Sequence, residues 1–203
     1  MRPRTTLFYP AQAPLGKPLR GQPSRGIEGT VALNSSETEL RLRASRVRLA
    51  VFDVDGVLTD GTLTYGPQGE ALKTFSVHDG HGMVLLREAG VTCAILSARD
   101  SDVVRARMLD LKVPHVLQGE RDKRTGFERL LALTGCSADE VSYIGDDVND
   151  LPVLERVGLS ACPADAAPEV RARVHLVCAR PGGRGAVRDL CELILKARDA
   201  WPA

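Results

Sequence analysis

The sequence predicts a three-layer, Rossmann-like α/β domain: a parallel sheet covered by helices on both faces, with a β-hairpin flap after its first strand. Three observations lead there. Short apolar runs of strand length alternate with segments of helical length from residue 48 onward. Alternation of this kind builds a parallel sheet buried on both faces. The 203 residues suffice for one medium domain with a sizeable core and leave no room for a second catalytic domain.

Taken in order, residues 1–35 are rich in Pro, Gly and Arg, and as far as Ile27 they carry Arg2, Arg4, Lys17, Arg20 and Arg25 without one acid. Such a basic tail is expected to be disordered. Its proline density argues against the amphipathic helix of a targeting peptide. The ordered domain is expected over 36–203. Ser36 is an N-cap candidate for a short helix over 37–46, which delivers the chain to the buried-strand pattern Arg48–Phe52. Thr62–Tyr65 and Ala71–Phe75, joined by Gly66-Pro67-Gln68-Gly69, read as the hairpin. Helices are then expected near 82–89, 101–111, 123–133, 148–156 and 186–198, and strands at 91–96, 115–117, 141–144, 158–161 and 174–177. No internal repeat is visible.

Composition limits the partners. Lys plus Arg number 27 against 26 Asp plus Glu, so nothing points to nucleic acid, and a small-molecule partner is expected. Five scattered cysteines without a C-x-x-C pair fit core or surface thiols in a reducing compartment. No apolar run reaches the roughly 18 residues a membrane helix needs, and no apolar segment of signal-peptide type follows the basic N-terminus. A soluble, cytoplasmic protein without a membrane partner is expected.

In an open α/β sheet the ligand site lies beyond the carboxyl ends of the strands. The first strand ends in Asp53-Val54-Asp55-Gly56-Val57-Leu58-Thr59-Asp60, the second in Ser97-Ala98-Arg99, and the fourth in Gly145-Asp146-Asp147-Val148-Asn149-Asp150, while Lys123 opens the helix after the third. Carboxylates, a hydroxyl and an ammonium therefore gather at one rim. The set suits phosphoryl transfer, whose transition state is stabilised by metal and fixed cations. Carboxylates alone repel phosphate. A Mg²⁺ ion held by Asp53, Asp146 and a backbone carbonyl inverts that field, with Lys123 and Ser97 left to hold phosphate oxygens. Asp53 is the candidate nucleophile and Asp55 the candidate acid–base. Any single aspartate after a strand is as readily a helix cap. It is the combination in this order that carries the reading.

With these four motifs the chain resembles the haloacid dehalogenase (HAD) superfamily of phosphatases. Asp53–Asp60, Phe75–Gly80, Gln118-Gly119, Gly145–Leu151 and Gly182–Arg188 narrow the resemblance to the 3-deoxy-D-manno-octulosonate 8-phosphate (Kdo 8-phosphate) phosphatase family, over about residues 40–198. The resemblance implies a capless HAD-like fold and a homotetramer. It implies Mg²⁺ on Asp53, the backbone of Asp55, and Asp146. Substrate contacts are implied from Asp55, Ser76, Val77, His78, Asp79, Gly80, Arg99, Arg107 and Lys123, and the implied pathway is lipopolysaccharide core synthesis. Two positions depart from the family pattern: Ala98 stands where Gly is usual and Val84 where Lys or Arg is usual, with Arg87 one turn on as a substitute cation. The related nonulosonate 9-phosphate phosphatases tend to place Glu where Arg99 stands, and an arginine fits a keto-acid carboxylate by bidentate pairing, so the resemblance favours the eight-carbon sugar.

Only 40 residues lie between Gly56 and Ser97 and 22 between Lys123 and Asp146, so neither gap holds a cap domain and a neighbouring subunit is expected to cover the site. The Val77–Gly82 segment is expected to be a substrate loop. His78 and His81 lack a third soft ligand nearby for zinc. A phospho-receiver domain and a catalytically inactive oligomerisation domain are the readings from other classes. The D-x-D spacing speaks against the first and the four intact motifs against the second.

Overall fold

The computed structural model describes residues 36–202; the expectation of disorder over 1–35 lies outside the described residues. Among the described residues eight strands and seven α-helices follow in chain order: α1 Glu37–Ser45, β1 Leu49–Phe52, β2 Thr64–Gly66, β3 Gly69–Leu72, α2 Val77–Glu88, β4 Thr92–Leu96, α3 Asp102–Asp110, β5 His115–Leu117, α4 Lys123–Thr134, β6 Val141–Ile144, α5 Leu151–Leu154, β7 Leu159–Cys162, α6 Pro168–Arg171, β8 Leu176–Val177 and α7 Ala186–Ala197. Six strands form a parallel sheet in the order β5-β4-β1-β6-β7-β8. The chain runs from β1 outward through β4 to β5, then crosses back to β6 and outward again. The direction therefore reverses between β1 and β6, which is where a ligand crevice opens in such a sheet.

Alternation along the strands divides the core in two. Ala50, Phe52, Cys93, Ile95 and Ile144 pack with Leu40, Met83, Leu86, Val104, Met108, Leu190 and Ile194 from α1, α2, α3 and α7. Leu49, Val51, Ala94, Leu96 and Tyr143 pack with Phe127, Leu130, Val153 and Val170 from α4, α5 and α6. Successive side chains point to opposite faces, so one apolar run supplies both layers. All five cysteines are free. Burial pushes the Cys93 and Cys162 thiols up to about 12, which keeps them inert core groups.

The hairpin forms as a separate two-stranded sheet with Pro67-Gln68 at its tip and Gly66 opposite Gly69. It is shorter than its sequence pattern. The larger departure is α2, which begins at Val77 rather than near 82 and so absorbs the expected substrate loop. The Ser76 hydroxyl accepts the Asp79 N–H at 3.3 Å and starts the helix. Gly80 and Gly82 do not break it, because a side chain at Gly80 would meet Arg107 and one at Gly82 would crowd Cys191 and Arg188. Close approach to α3 and α7 outweighs the helix-propensity cost of about 1 kcal/mol per glycine. The expected helix over 148–156 is a 3₁₀ turn, Val148–Asp150, followed by the short α5.

His175 joins β7 to the segment before β8. Its Nδ1 accepts the Ser160 N–H at 3.0 Å and lies 2.7 Å from the Ser160 hydroxyl, whose oxygen accepts the His175 N–H. Burial, with a smaller push from Arg43 partly opposed by Glu39, holds the imidazole below its ordinary pKa. A depressed folded-state pKa means the unfolded chain binds the proton more readily, so stability is full above about 6.5 and is lost as pH falls toward the folded value. Between pH 7 and pH 5 His175 therefore works against stability, and the melting temperature of His175→Asn, whose carbonyl oxygen can still accept the Ser160 N–H, should shift upward relative to the natural protein as pH falls through this range. Equal slopes in thermal melts of the two proteins would remove His175 from the acid response.

Candidate active site

Four strand ends converge on the crevice between β1 and β6. Asp53 follows β1, its N–H continuing the ladder to the Ile144 carbonyl at 3.1 Å. The chain then turns tightly, with the Val54 carbonyl accepting the N–H groups of Val57, Leu58 and Thr59. Gly56 sits at a φ of 81°, and a side chain there would run into the Asp146 carboxylate. Glycine is what lets the two loops meet. Asp53, Asp55, Gly56, Gly61, Ser97, Ala98, Arg99, Lys123, Asp146, Asp147 and Asn149 line a cleft of about 210 Å³.

Lys123 is the central cation. It occupies the first position of α4, capped by Asp122, and its side chain is buried. The ammonium lies 2.7 Å from Asp53 Oδ2, in close contact with Asp150 Oδ1, and 3.1 Å from the Tyr143 hydroxyl. Asp150 is fully committed. Its Oδ1 accepts from Lys123 and Tyr143, and its Oδ2 accepts the N–H groups of Asp146 and Asp147 at 3.0 and 3.1 Å. A side chain at Gly145 would collide with it. Asp150 therefore shapes the loop, whereas Asp146 presents its carboxylate to the cleft.

The acids resist ionisation. Burial pushes Asp53 up to about 7, against the pull of Lys123, and burial with repulsion from Asp53 and Asp150 pushes Asp146 up to about 8. Carboxylate oxygens of Asp53, Asp146 and Asp150 come within 4.8 Å of one another. This is a hard, all-oxygen donor set with an excess of negative charge, and it fits Mg²⁺. With Asp150 already saturated, Asp53 and Asp146 are left as the side chains facing an ion. Ser97 follows β4, is buried, and accepts the Arg99 N–H at 3.3 Å.

The sequence-predicted residues separate into two groups. Asp53, Asp55, Ser97, Arg99, Lys123 and Asp146 line one cleft. Ser76, Val77, His78, Asp79, Gly80 and Arg107 do not. Val77, His78 and His81 are exposed, and Arg107 packs against Gly80 and pairs with Asp110. Asp79 is buried and accepts the N–H groups of Gly185 and Arg188 at 3.1 and 2.8 Å, capping α7 from another helix. This occupation of its carboxylate argues against a substrate contact. Sequence reasoning missed Glu70, Lys73 and Tyr65, which the hairpin brings to Asp55 and Arg99. For Glu70 and Lys73 the signal was the G-E-x-L-K pattern of residues 69–73, a stretch divided between turn and strand.

The clustered acids make a metal prediction with a definite sign. Asp146→Asn removes a repelled carboxylate, so without metal it should melt higher than the natural protein. It should also lose the rise in melting temperature that millimolar Mg²⁺ gives by mass action, about 2.7 kcal/mol at a hundredfold excess over Kd. Thermal melts of both proteins with Mg²⁺ or EDTA test this; an undiminished Mg²⁺ response would exclude Asp146 as a ligand.

Residues 86–187 match the family model for haloacid dehalogenase-like hydrolases. The Yersinia pestis 3-deoxy-D-manno-octulosonate 8-phosphate phosphatase is 44% identical over 157 residues, covering 77% of this chain and 84% of that protein. Its crystal structure superposes with a TM-score of 0.78 over 80% of this chain and 88% of that one. The Moraxella catarrhalis phosphatase of the same name, solved in complex with a magnesium ion, a phosphate ion and a KDO molecule, is 36% identical with a TM-score of 0.78, over 80% of this chain and 93% of that one. With the fold, the strand-end motifs and this identity in agreement, the chain belongs to the 3-deoxy-D-manno-octulosonate 8-phosphate phosphatase family of haloacid dehalogenase-like hydrolases.

Proposed function

We propose that the protein hydrolyses 3-deoxy-D-manno-octulosonate 8-phosphate to the free sugar and phosphate, with Asp53 as nucleophile. The observation that carries the mechanism is the Asp53–Lys123 pair. A buried ammonium 2.7 Å from one carboxylate oxygen favours the anionic nucleophile in a site where burial opposes it. When bound, Mg²⁺ supplies charge neutralisation for the phosphate, held by Asp53, Asp146 and the Asp55 backbone. An Asp53 oxygen attacks phosphorus, the bond to the sugar oxygen breaks, and that oxygen takes a proton from Asp55, which enters this step protonated. Asp55 then takes a proton from water as the water oxygen attacks phosphorus and the bond to Asp53 breaks. Lys123 and Ser97 hold the phosphate oxygens that carry the developing charge. Arg99, at the mouth, pairs with the sugar-acid carboxylate. The place of action is the cytoplasm, in lipopolysaccharide core synthesis.

A cleft of about 210 Å³ accommodates a phosphate and an ion, but ligand pockets run to roughly 300–1,000 Å³, so the sugar must project beyond it. A homotetramer supplies the remaining wall. Leu63, Tyr65 and Leu72 of the hairpin region and Val77 at the start of α2 are exposed, an apolar set suited to contact between subunits. On this reading Ser76, Val77, His78, Gly80 and Arg107, which stand outside their own cleft, serve that of a neighbour.

Phosphate release should be Mg²⁺-dependent, abolished by EDTA, higher on the eight-carbon substrate than on a nonulosonate 9-phosphate or hexose phosphates, and reduced at least about a thousandfold in Asp53→Asn. Preference for another phosphosugar would retain the chemistry and discard the substrate. For the assembly, light scattering should give four subunits. Mixing inactive Asp53→Asn with Arg107→Ala subunits should restore part of the activity, because some clefts then combine an intact nucleophile with an intact neighbour. A fully active monomer would rule this out.

A further inference from the structure

Glu70 in β3 and Lys73 just beyond it form, with Asp55 and Arg99, a closed ring of alternating charge. The Lys73 side chain is only 1% exposed, and its ammonium lies between Asp55 Oδ1, in close contact, and Glu70 Oε1 at 2.9 Å. Glu70 turns its other oxygen to Arg99 Nη2 at 2.7 Å, and the same nitrogen donates to the Tyr65 hydroxyl at 3.3 Å. Arg99 Nε stands 3.6 Å from Asp55 Oδ2 and is buried without a hydrogen-bond partner.

That gap is informative. A guanidinium and a carboxylate this close form a bidentate pair when nothing restrains them, and such a pair would turn both groups toward each other and away from substrate. Here 3.6 Å is beyond hydrogen-bond length, because Lys73 draws Asp55 one way and Glu70 draws Arg99 the other. A lysine this buried is costly unless its charge is matched. A surface lysine would serve a hairpin as well if hairpin stability were its whole task.

We propose that Lys73 is a positioning residue for the acid–base step. It orients the Asp55 carboxylate within the cleft, while Glu70 keeps Lys73 in place and holds Arg99 near Asp55 without letting the two combine. The hairpin thereby carries part of the catalytic geometry. The inference rests on the reading of Asp55 as the group that protonates the leaving sugar oxygen.

The test compares kcat/KM for 3-deoxy-D-manno-octulosonate 8-phosphate with kcat/KM for acetyl phosphate. The sugar alkoxide needs a proton as it leaves, whereas acetate departs as a stable anion. Taking the ratio of the two constants on one sample cancels any misfolded fraction. Asp55→Asn should lower this ratio by about a hundredfold or more. Lys73→Met should lower it at least about tenfold in the natural background and no further in Asp55→Asn, and Lys73→Arg should recover part of the loss. An unchanged ratio in Asp55→Asn would overturn the acid–base reading itself. A shifted ratio in Asp55→Asn, with Lys73→Met lowering both constants equally or adding its full effect to the double variant, would leave that reading intact and sink the role given to Lys73.

Discussion

Three carboxylates and one ammonium share the crevice between β1 and β6, and the surrounding structure is arranged to hold them there. Unit charges 4 Å apart interact by about 4 kcal/mol at an effective dielectric of 20, so ionising Asp53, Asp146 and Asp150 together would cost a sizeable part of the stability of a whole domain. Lys123 cannot neutralise all three. Its contacts go to Asp53 and Asp150, and Asp150 gains two backbone N–H groups besides. Burial, with repulsion from Asp53 and Asp150 only partly opposed by Lys123, pushes the Asp146 carboxyl up to about 8. The excess charge calls for a divalent ion, and the fold supplies the opening for it at the one place where the sheet reverses direction.

Holding charges at this spacing demands backbone approaches that side chains would prevent. A side chain at Gly145 would displace Asp150, and one at Gly56 would displace Asp146. Gly182 meets the Gly56 carbonyl so closely that no other residue fits, and the Gly183 N–H donates to the Val57 carbonyl at 2.8 Å. The segment before α7 thus braces the loop that carries the nucleophile. Asp79 extends the brace by capping α7 from α2. A carboxylate that at first suggests substrate contact is better understood as joining the two halves of this support.

What could be read from the sequence follows from what is local in it. Strand-length apolar runs place Asp53, Ser97 and Asp146 at strand ends, and a helix start places Lys123, because each depends only on its neighbours in the chain. The closing helix expected near 186–198 likewise forms, as α7 over Ala186–Ala197. The start of α2 was not legible, since Gly80 and Gly82 lower helix propensity locally and are explained only by the α3 and α7 surfaces packed against them. Nor were Glu70 and Lys73, whose partners Arg99 and Asp55 lie 29 and 18 residues away in the chain and meet them only once the hairpin folds back over the β1 loop.

The hairpin accordingly faces two ways. Glu70 and Lys73 turn inward to charge, whereas Tyr65 and Leu72 each remain 64% exposed. In a phosphatase with a cap domain, closure and catalytic geometry reside in separate parts of the chain. Here 40 residues between Gly56 and Ser97 must provide both. A contact made on the apolar side of so short a hairpin cannot shift it without also moving Lys73, and through Lys73 the carboxylate of Asp55. On the proposed assembly, subunit packing and acid–base geometry are therefore one constraint, and a substitution at Leu72 that leaves every cleft residue untouched still bears on the chemistry.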